Sequence, residues 1–322
     1  MKDFRAALVL AFTILATASA GAQNYPAKPI KIIVSTSPGG VTDLAARILG
    51  QYITTKTGQA VVIDNRAGAS GNIAMDALAK SEPDGYTIGV ANTGNIVINP
   101  YLFQNMGFDP LKDLVPLGVL GTVPLFLVEN AAVPTPTLRD FVAYAKANPD
   151  KISYASAGAG TTPDLAAYEF GRRAGLKFVM VPFRGTGPAV TAVLGGDVQV
   201  TFVSMGPHIE FVRQGKLRVL GAATSKRVSY LPDAPTFAEQ GFPGFETSTW
   251  FAAFAPRGTP KEIVDQLNGY IREMAQDADA KKRLEANFVD LSVMTAPESA
   301  ALVTADAAKW ERIVRENGIK LE

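Results

Sequence analysis

The sequence predicts an α/β fold of two α/β domains with a ligand cleft between them, and three observations lead there. Short apolar runs alternate with amphipathic helices at the spacing of βαβ units, which implies parallel sheets. Three of the strand-to-helix turns are glycine loops with a helix starting at once behind them: Ser37-Pro38-Gly39-Gly40-Val41-Thr42-Asp43, Ser156 through Asp164, and Arg184-Gly185-Thr186-Gly187-Pro188. A proline-punctuated apolar stretch, residues 114–128, separates the first of these loops from the other two.

At 322 residues, 47% hydrophobic and 19% charged, the chain is too long for one small core. Lys2 and Arg5 precede an apolar run over 6–16, and Ala18-Ser19-Ala20 or Ala20-Gly21-Ala22 offers a small-residue cleavage site, so residues 1–22 read as a secretory signal peptide. The run is short of the roughly 20 apolar residues that a membrane span needs. Removing Lys2, Arg5 and Asp3 with that leader leaves basic and acidic side chains in equal number. A nucleic-acid binder needs a basic surplus, so this class is excluded. The sequence has no cysteine, hence no disulfide framework, lipid attachment or thiol nucleophile. The expectation is an exported periplasmic protein.

Within 30–52, a strand and the glycine turn lead into a helix whose Val41, Leu44, Ala45, Ile48, Leu49 and Tyr52 fall at helical spacing. The turn leaves the first helical N–H groups free, Thr42 and Asp43 can cap them, and such a helix start attracts anions. Strands over 61–64 and 86–91 follow, the second ending in Asn92-Thr93-Gly94-Asn95. A crossing to a second domain is expected near Pro124. That domain is read as a helix over 137–147, strands over 152–156, 178–183, 198–203 and 217–222, and helices opened by Pro163, behind Thr162 as cap, and by Pro188. The return crossing is expected at 224–227, dividing the chain into 23–123 plus 228–322 and 124–227. A strand around 250–254, a helix with a capping box at Thr259-Pro260-Lys261-Glu262 and a last helix over 298–317 complete the first domain.

By the right-handed crossover rule, loops at the C-terminal ends of parallel strands share one sheet edge, where ligands of open α/β sheets bind. The candidate ligand residues are therefore Ser37, Pro38, Gly39, Gly40 and Asp43; Asn92 and Thr93; Gly158, Ala159, Gly160, Thr161 and Thr162; Arg184 and Gly185; and Ser204. Backbone N–H groups and hydroxyls offered from both sides suit an acidic ligand. Arg184 suits a carboxylate bidentately or, equally, holds backbone carbonyls. Asp43 with Arg47 at i+4 also reads as a helix pair and cap. Arg66 reads as stabilising its turn, and Trp250 as packing.

Other chemistries lack their residues. No glycine loop satisfies Gly-x-Gly-x-x-Gly or ends in Gly-Lys-Ser/Thr, so no dinucleotide or other cofactor is expected. His208 is the only histidine, without an identifiable partner, and reads as a solvated loop or helix-start residue. That leaves neither a catalytic triad nor a multi-histidine or cysteine metal site to build.

The N-terminal part carries Tyr25-Pro26-Ala27-Lys28-Pro29-Ile30, Ser37-Pro38-Gly39-Gly40 with Asp43, Asp64-Asn65-Arg66 with Gly68 and Gly71, and Asp84-Gly85-Tyr86-Thr87. Tyr154-Ala155-Ser156-Ala157-Gly158, Phe183-Arg184-Gly185, Gly195-Gly196, Leu231-Pro232-Asp233 with Pro235-Thr236 and Glu239, Trp250, Ala255-Pro256 and Gly258-Thr259-Pro260 follow. In this order and spacing, across the mature chain, these motifs resemble the extracytoplasmic receptors of tripartite tricarboxylate transporters, the Bug-type or TctC-like receptors. The resemblance implies a type II periplasmic-binding-protein fold that closes on a small carboxylate. It also implies that main-chain groups and ordered waters of the loops at 37–40 and 158–162 hold the near carboxylate. Two departures bear on the ligand: Pro163-Asp164 stands where the loop usually runs toward a histidine, and Ser35-Thr36 replaces the usual Pro-Phe.

The function expected is capture of a small organic carboxylate and delivery to a two-subunit membrane permease by a monomeric receptor. Two alternatives use the same cleft: an α/β enzyme acting on an anionic or phosphorylated molecule, and a receptor presenting its closed form to a membrane signalling partner.

Overall fold

The computed structural model describes residues 25–149, 151–158, 160–183 and 185–319. The expected leader lies outside them. Parallel strands need both faces covered, and the sequence supplies helices for both. β1 (Ile30–Val34) leads into α1 (Val41–Thr57), β2 (Val61–Asn65) into α2 (Asn72–Ala79), and β3 (Thr87–Asn92) and β4 (Leu114–Pro124) follow. Next come β5 (Phe126–Asn130), α3 (Leu138–Ala147), β6 (Ser153–Ser156), α4 (Thr162–Ala174), β7 (Val179–Pro182), α5 (Thr186–Gly195), β8 (Val200–Val203) and β9 (Leu217–Ala222). The chain ends through β10 (Ser248–Pro256), α6 (Lys261–Met274), α7 (Ala278–Glu285), β11 (Asp290–Leu291) and α8 (Ala296–Glu316).

Two sheets result, ordered β11-β4-β10-β3-β1-β2 and β7-β6-β8-β5-β9. In β1, Ile30, Ile32 and Val34 pack on one face with α1 and α6, while Ile33 packs on the other with α2 and α8. The second sheet is covered by α3 and α4 on one face and by α5 on the other. Apart from β11, the two orders are the same once β1, β2, β3, β4 and β10 are matched to β6, β7, β8, β9 and β5. In each half the antiparallel strand, β10 or β5, is the first one after a crossing.

This topology fixes which edges face each other. β1 is parallel to β2 and β3, and β10 is antiparallel to β3 and β4, so β1 to β4 all run toward the edge where β4 ends at Pro124. Two residues later Phe126 opens β5 and pairs with Val203 at the end of β8 and with Ala222 at the end of β9. β6 is parallel to β7 and β8. The C-terminal edges of both parallel sets therefore meet at the crossing.

The chain leaves the first sheet at Pro124 and enters the second at Phe126, with Leu125 between. The return lies beyond the expected 224–227. After β9, Phe237 and Phe245 are buried in the second sheet's aromatic cluster with Phe170 and Phe202, and the chain re-enters the first sheet only at Ser248. Aromatic burial holds residues 228–247 against the second sheet, where sequence composition alone gave no sign of the attachment.

Candidate ligand site between the two sheets

The loop after β1 is shaped by glycines with different reasons. Gly39 has φ +93°, a conformation that side chains disfavour. Gly40, with φ −81° and ψ 170°, has no such need, and a Cβ there would meet nothing within 4 Å. Neither backbone strain nor packing accounts for a glycine at Gly40, where the main chain is open to approach.

Asp43 is turned into its own loop. Its Oδ2 accepts from the Gly39 amide at 2.9 Å and from Arg47 Nε at 2.9 Å, and its Oδ1 accepts from Asn65 Nδ2 at 2.9 Å. Burial pushes its carboxyl up, but the hydrogen bonds from Arg47, Gly39 and Asn65 outweigh this and hold it below the usual carboxylate range. Asn65 also donates to the Thr36 carbonyl at 3.0 Å, so the loops after β1 and β2 are stitched together. Arg66 pairs with Asp64 at 2.8 Å within its own turn.

A third stitch runs through Asn95, which sequence reasoning placed only as the last residue of a turn. Its Oδ1 accepts from Ser35 Oγ at 2.6 Å and from the Asn92 amide at 3.1 Å, and its Nδ2 donates to the Ser70 carbonyl at 2.6 Å. A Cβ on Gly71 would fall 2.3 Å from that Nδ2, so only glycine admits the bond. The Asn92 and Thr93 side chains are likewise spent on structure. Asn92 Oδ1 accepts from the Gly94 amide at 3.0 Å, and Thr93 Oγ1, fully buried, accepts from the Trp250 amide at 2.9 Å. The signal in sequence was the density of Asn and Ser at strand ends, which says that side chains bond to loops without saying which. Trp250 is a core residue whose Nε1 donates to Asp306 at 2.7 Å.

On the second sheet, the N-cap of α4 is Thr161, one residue before the expected Thr162, because Thr161 has the extended backbone and Pro163 takes the second helical position. Thr161 Oγ1 donates to the Gly158 carbonyl at 2.9 Å and does not cap the helix. Gly158 and Gly160 have φ of +133° and +78°. Gly185, the N-cap of α5, has φ +107° and open space around its Cβ position. Ala159 and Arg184 lie outside the described residues. Ser204 is half-buried, and its carbonyl accepts from Nδ1 of His208 at 2.9 Å. His208 itself is buried, not solvated as the sequence implied, and burial holds its pKa below the usual value despite that bond.

Side-chain caps are unevenly distributed among the helix starts. Thr137, Asp277 and Thr295 cap α3, α7 and α8 with side-chain bonds, and Thr295 with Glu298 forms a full capping box. The starts of α1, α2, α4 and α5, each behind the C-terminal end of a parallel strand, have no side-chain cap. The start of α6 lacks one too: Thr259 Oγ1 donates to the Pro256 carbonyl, and Pro260 is the N-cap, so the expected box there does not form. Uncapped N-termini carry partial positive charge and leave donors for an outside acceptor.

The two halves pack against each other. Leu165 of α4 is fully buried within the first sheet's cluster, and Tyr168 packs against the same cluster. Tyr230 of the second half lies 4.3 Å, ring to ring, from Phe288 of the first.

The sequence profile of the tripartite tricarboxylate transporter family receptor matches residues 45–319. The chain belongs to this receptor family. Among curated relatives, the receptor chain is 37% identical to Protein BugT of Bordetella pertussis over 306 residues, 95% of this chain and 94% of that protein. Among solved structures, it matches the R. palustris Rpa4515 protein with adipate at 32% identity and a TM-score of 0.82, covering 92% of this chain and all of that one. It also matches MatC of Rhodopseudomonas palustris with bound malate at 30% identity and a TM-score of 0.78, covering 90% of this chain and all of that one. The receptor thus has the periplasmic-binding-protein fold. β1 and the Gly39-Gly40 turn lie just ahead of the span that the profile matches.

Proposed function

We propose that this receptor works in the periplasm and captures a small organic carboxylate between its two sheets, gripping it with main-chain amides more than with charged side chains. The observation that carries the reading is the set of uncapped helix starts behind Gly40, Thr161 and Gly185 on two edges that face each other. Adipate and malate in the related structures are dicarboxylates, in keeping with that chemistry. The backbone at Leu125 and Thr247 serves as the hinge, and the closed form hands its ligand, as a monomer, to the membrane permease of a tripartite transporter. Its task is binding and release, without a chemical step.

A thermal-shift and calorimetry panel of dicarboxylates, tricarboxylates, aromatic acids and neutral analogues tests the reading. Ligand at ~100 times its dissociation constant adds about 2.7 kcal/mol to the folded state, which a melting curve resolves. At least one acid binding at one per chain supports capture. A melting point unmoved by every acid but raised by a neutral compound overturns it.

A further inference from the structure

Asp43 and Asp164 occupy equivalent places. Each is the third residue of the helix that follows the first parallel strand of its half, behind the N-caps Gly40 and Thr161. Each lies four residues after a glycine of positive φ, Gly39 or Gly160, whose amide favours the charged carboxyl. There the likeness ends. Where Asp43 has Arg47 one turn on, Asp164 has Tyr168, and where β2 ends in Asn65, β7 ends in Pro182.

Asp164 is 2% exposed, and its Oδ1 is buried without a hydrogen-bond partner. Its titratable neighbours are Tyr154 on β6 and Tyr168 on its own helix. β8, which packs on α4, carries no titratable residue over Val200–Val203. On α8, Asp306 is bound to Trp250, and the charges around Lys309 are those of Asp306, Glu246, Arg173 and Arg312. Burial pushes the Asp164 carboxyl up to about 6, with the Ser156 hydroxyl and the Gly160 amide pulling the other way. Residues four apart share a helix face, and Tyr168 packs against the first sheet, so Asp164 stands on the side of α4 turned toward the opposite half. A carboxylate arriving at the start of α4 therefore meets a second carboxyl that no cation offsets among the described residues.

We propose that this receptor takes up its carboxylate together with one proton from solvent, held on Asp164. Two carboxyl groups at one site share a proton because both cannot ionise in a low-dielectric gap. The protonated Asp164 then donates its O–H where the ionised form would repel. The inference rests on the carboxylate reading of the gap and names its proton requirement.

Calorimetry with malate and adipate, at pH 7.5 in buffers of differing ionisation enthalpy, counts the protons taken up. We expect close to one proton per ligand bound and an affinity that falls about tenfold per pH unit above neutrality, by linkage. Asp164→Asn is expected to abolish both while binding at high pH at least as well as the wild type. Binding without proton uptake in the wild type, or an unchanged pH profile in the variant, overturns the inference and leaves carboxylate capture standing. If neither these acids nor a wider acid panel binds at any pH, capture itself fails and this inference with it. The wild-type proton count stands on its own should the variant not fold.

Discussion

The amide of Ala223 donates to the carbonyl of Leu125 at 2.9 Å, and this bond ties the end of β9 to the first passage between the sheets. Leu125 N donates to Thr247 O at 3.2 Å, and Thr247 N donates to Ala223 O at 2.9 Å. Both passages are thus bound into one narrow strip, the place proposed as the hinge. Thr247→Pro removes one of these donors. It should cost about 1 kcal/mol or more of stability and weaken ligand binding several-fold, read by melting curves and calorimetry. Unchanged affinity in a folded Thr247→Pro protein would argue against a hinge there.

Gly40 offers a sharper probe, because its backbone tolerates a side chain and the space beside it is open. Gly40→Val should fold with a stability change of about 1 kcal/mol or less, the size of an N-cap preference. Affinity for its acid should fall at least tenfold, measured by calorimetry. A variant that binds like the wild type would place the ligand elsewhere.

Asp43 should matter through the loop that it holds. Asp43→Ala leaves the Gly39 amide without its acceptor and Asn65 Nδ2 with the Thr36 carbonyl alone, a cost of about 1–3 kcal/mol. Because the folded carboxyl lies below its unfolded value, the stability that it contributes is complete above the unfolded pKa. It is lost as pH falls through the folded pKa. Chemical denaturation at pH 7 and pH 3 should therefore show a smaller gap between wild type and variant at pH 3.

Asp164 has the opposite sign. Its folded carboxyl titrates near 6, above its unfolded value, so its contribution is full below the unfolded pKa and is lost as pH rises through 6. Asp164→Asn should stabilise the ligand-free protein at pH 7.5 by on the order of 1–3 kcal/mol and leave it little changed at pH 3.5, by the same denaturation series. Equal effects at both pH values would show that the carboxyl does not titrate in this range.

Strand and helix alternation and the glycine turns were legible because they depend on local periodicity and on glycine and proline. The return passage was not: Phe237, Phe242 and Phe245 belong to the second sheet through packing with Phe170 and Phe202, partners distant in sequence. Caps slipped for a related reason. Thr161 and Thr162 are both acceptable caps locally, and the bond from Thr161 to Gly158 decides between them. Thr259 fits a capping box equally well in sequence, yet its hydroxyl is drawn to Pro256, while Thr295 makes the box. At the site, the glycines were readable, but the roles of Asp43 and Thr93 as loop ties depend on Asn65 and Trp250 arriving from other strands.

The central claim is a grip made of main-chain amides from both sheets, and a crystal structure of the malate complex tests it most directly. The account predicts ligand carboxylate oxygens within hydrogen-bond reach, directly or through one water, of amides at the starts of both α1 and α4. A malate held only by arginine or lysine side chains, or seated on one half alone, would contradict it.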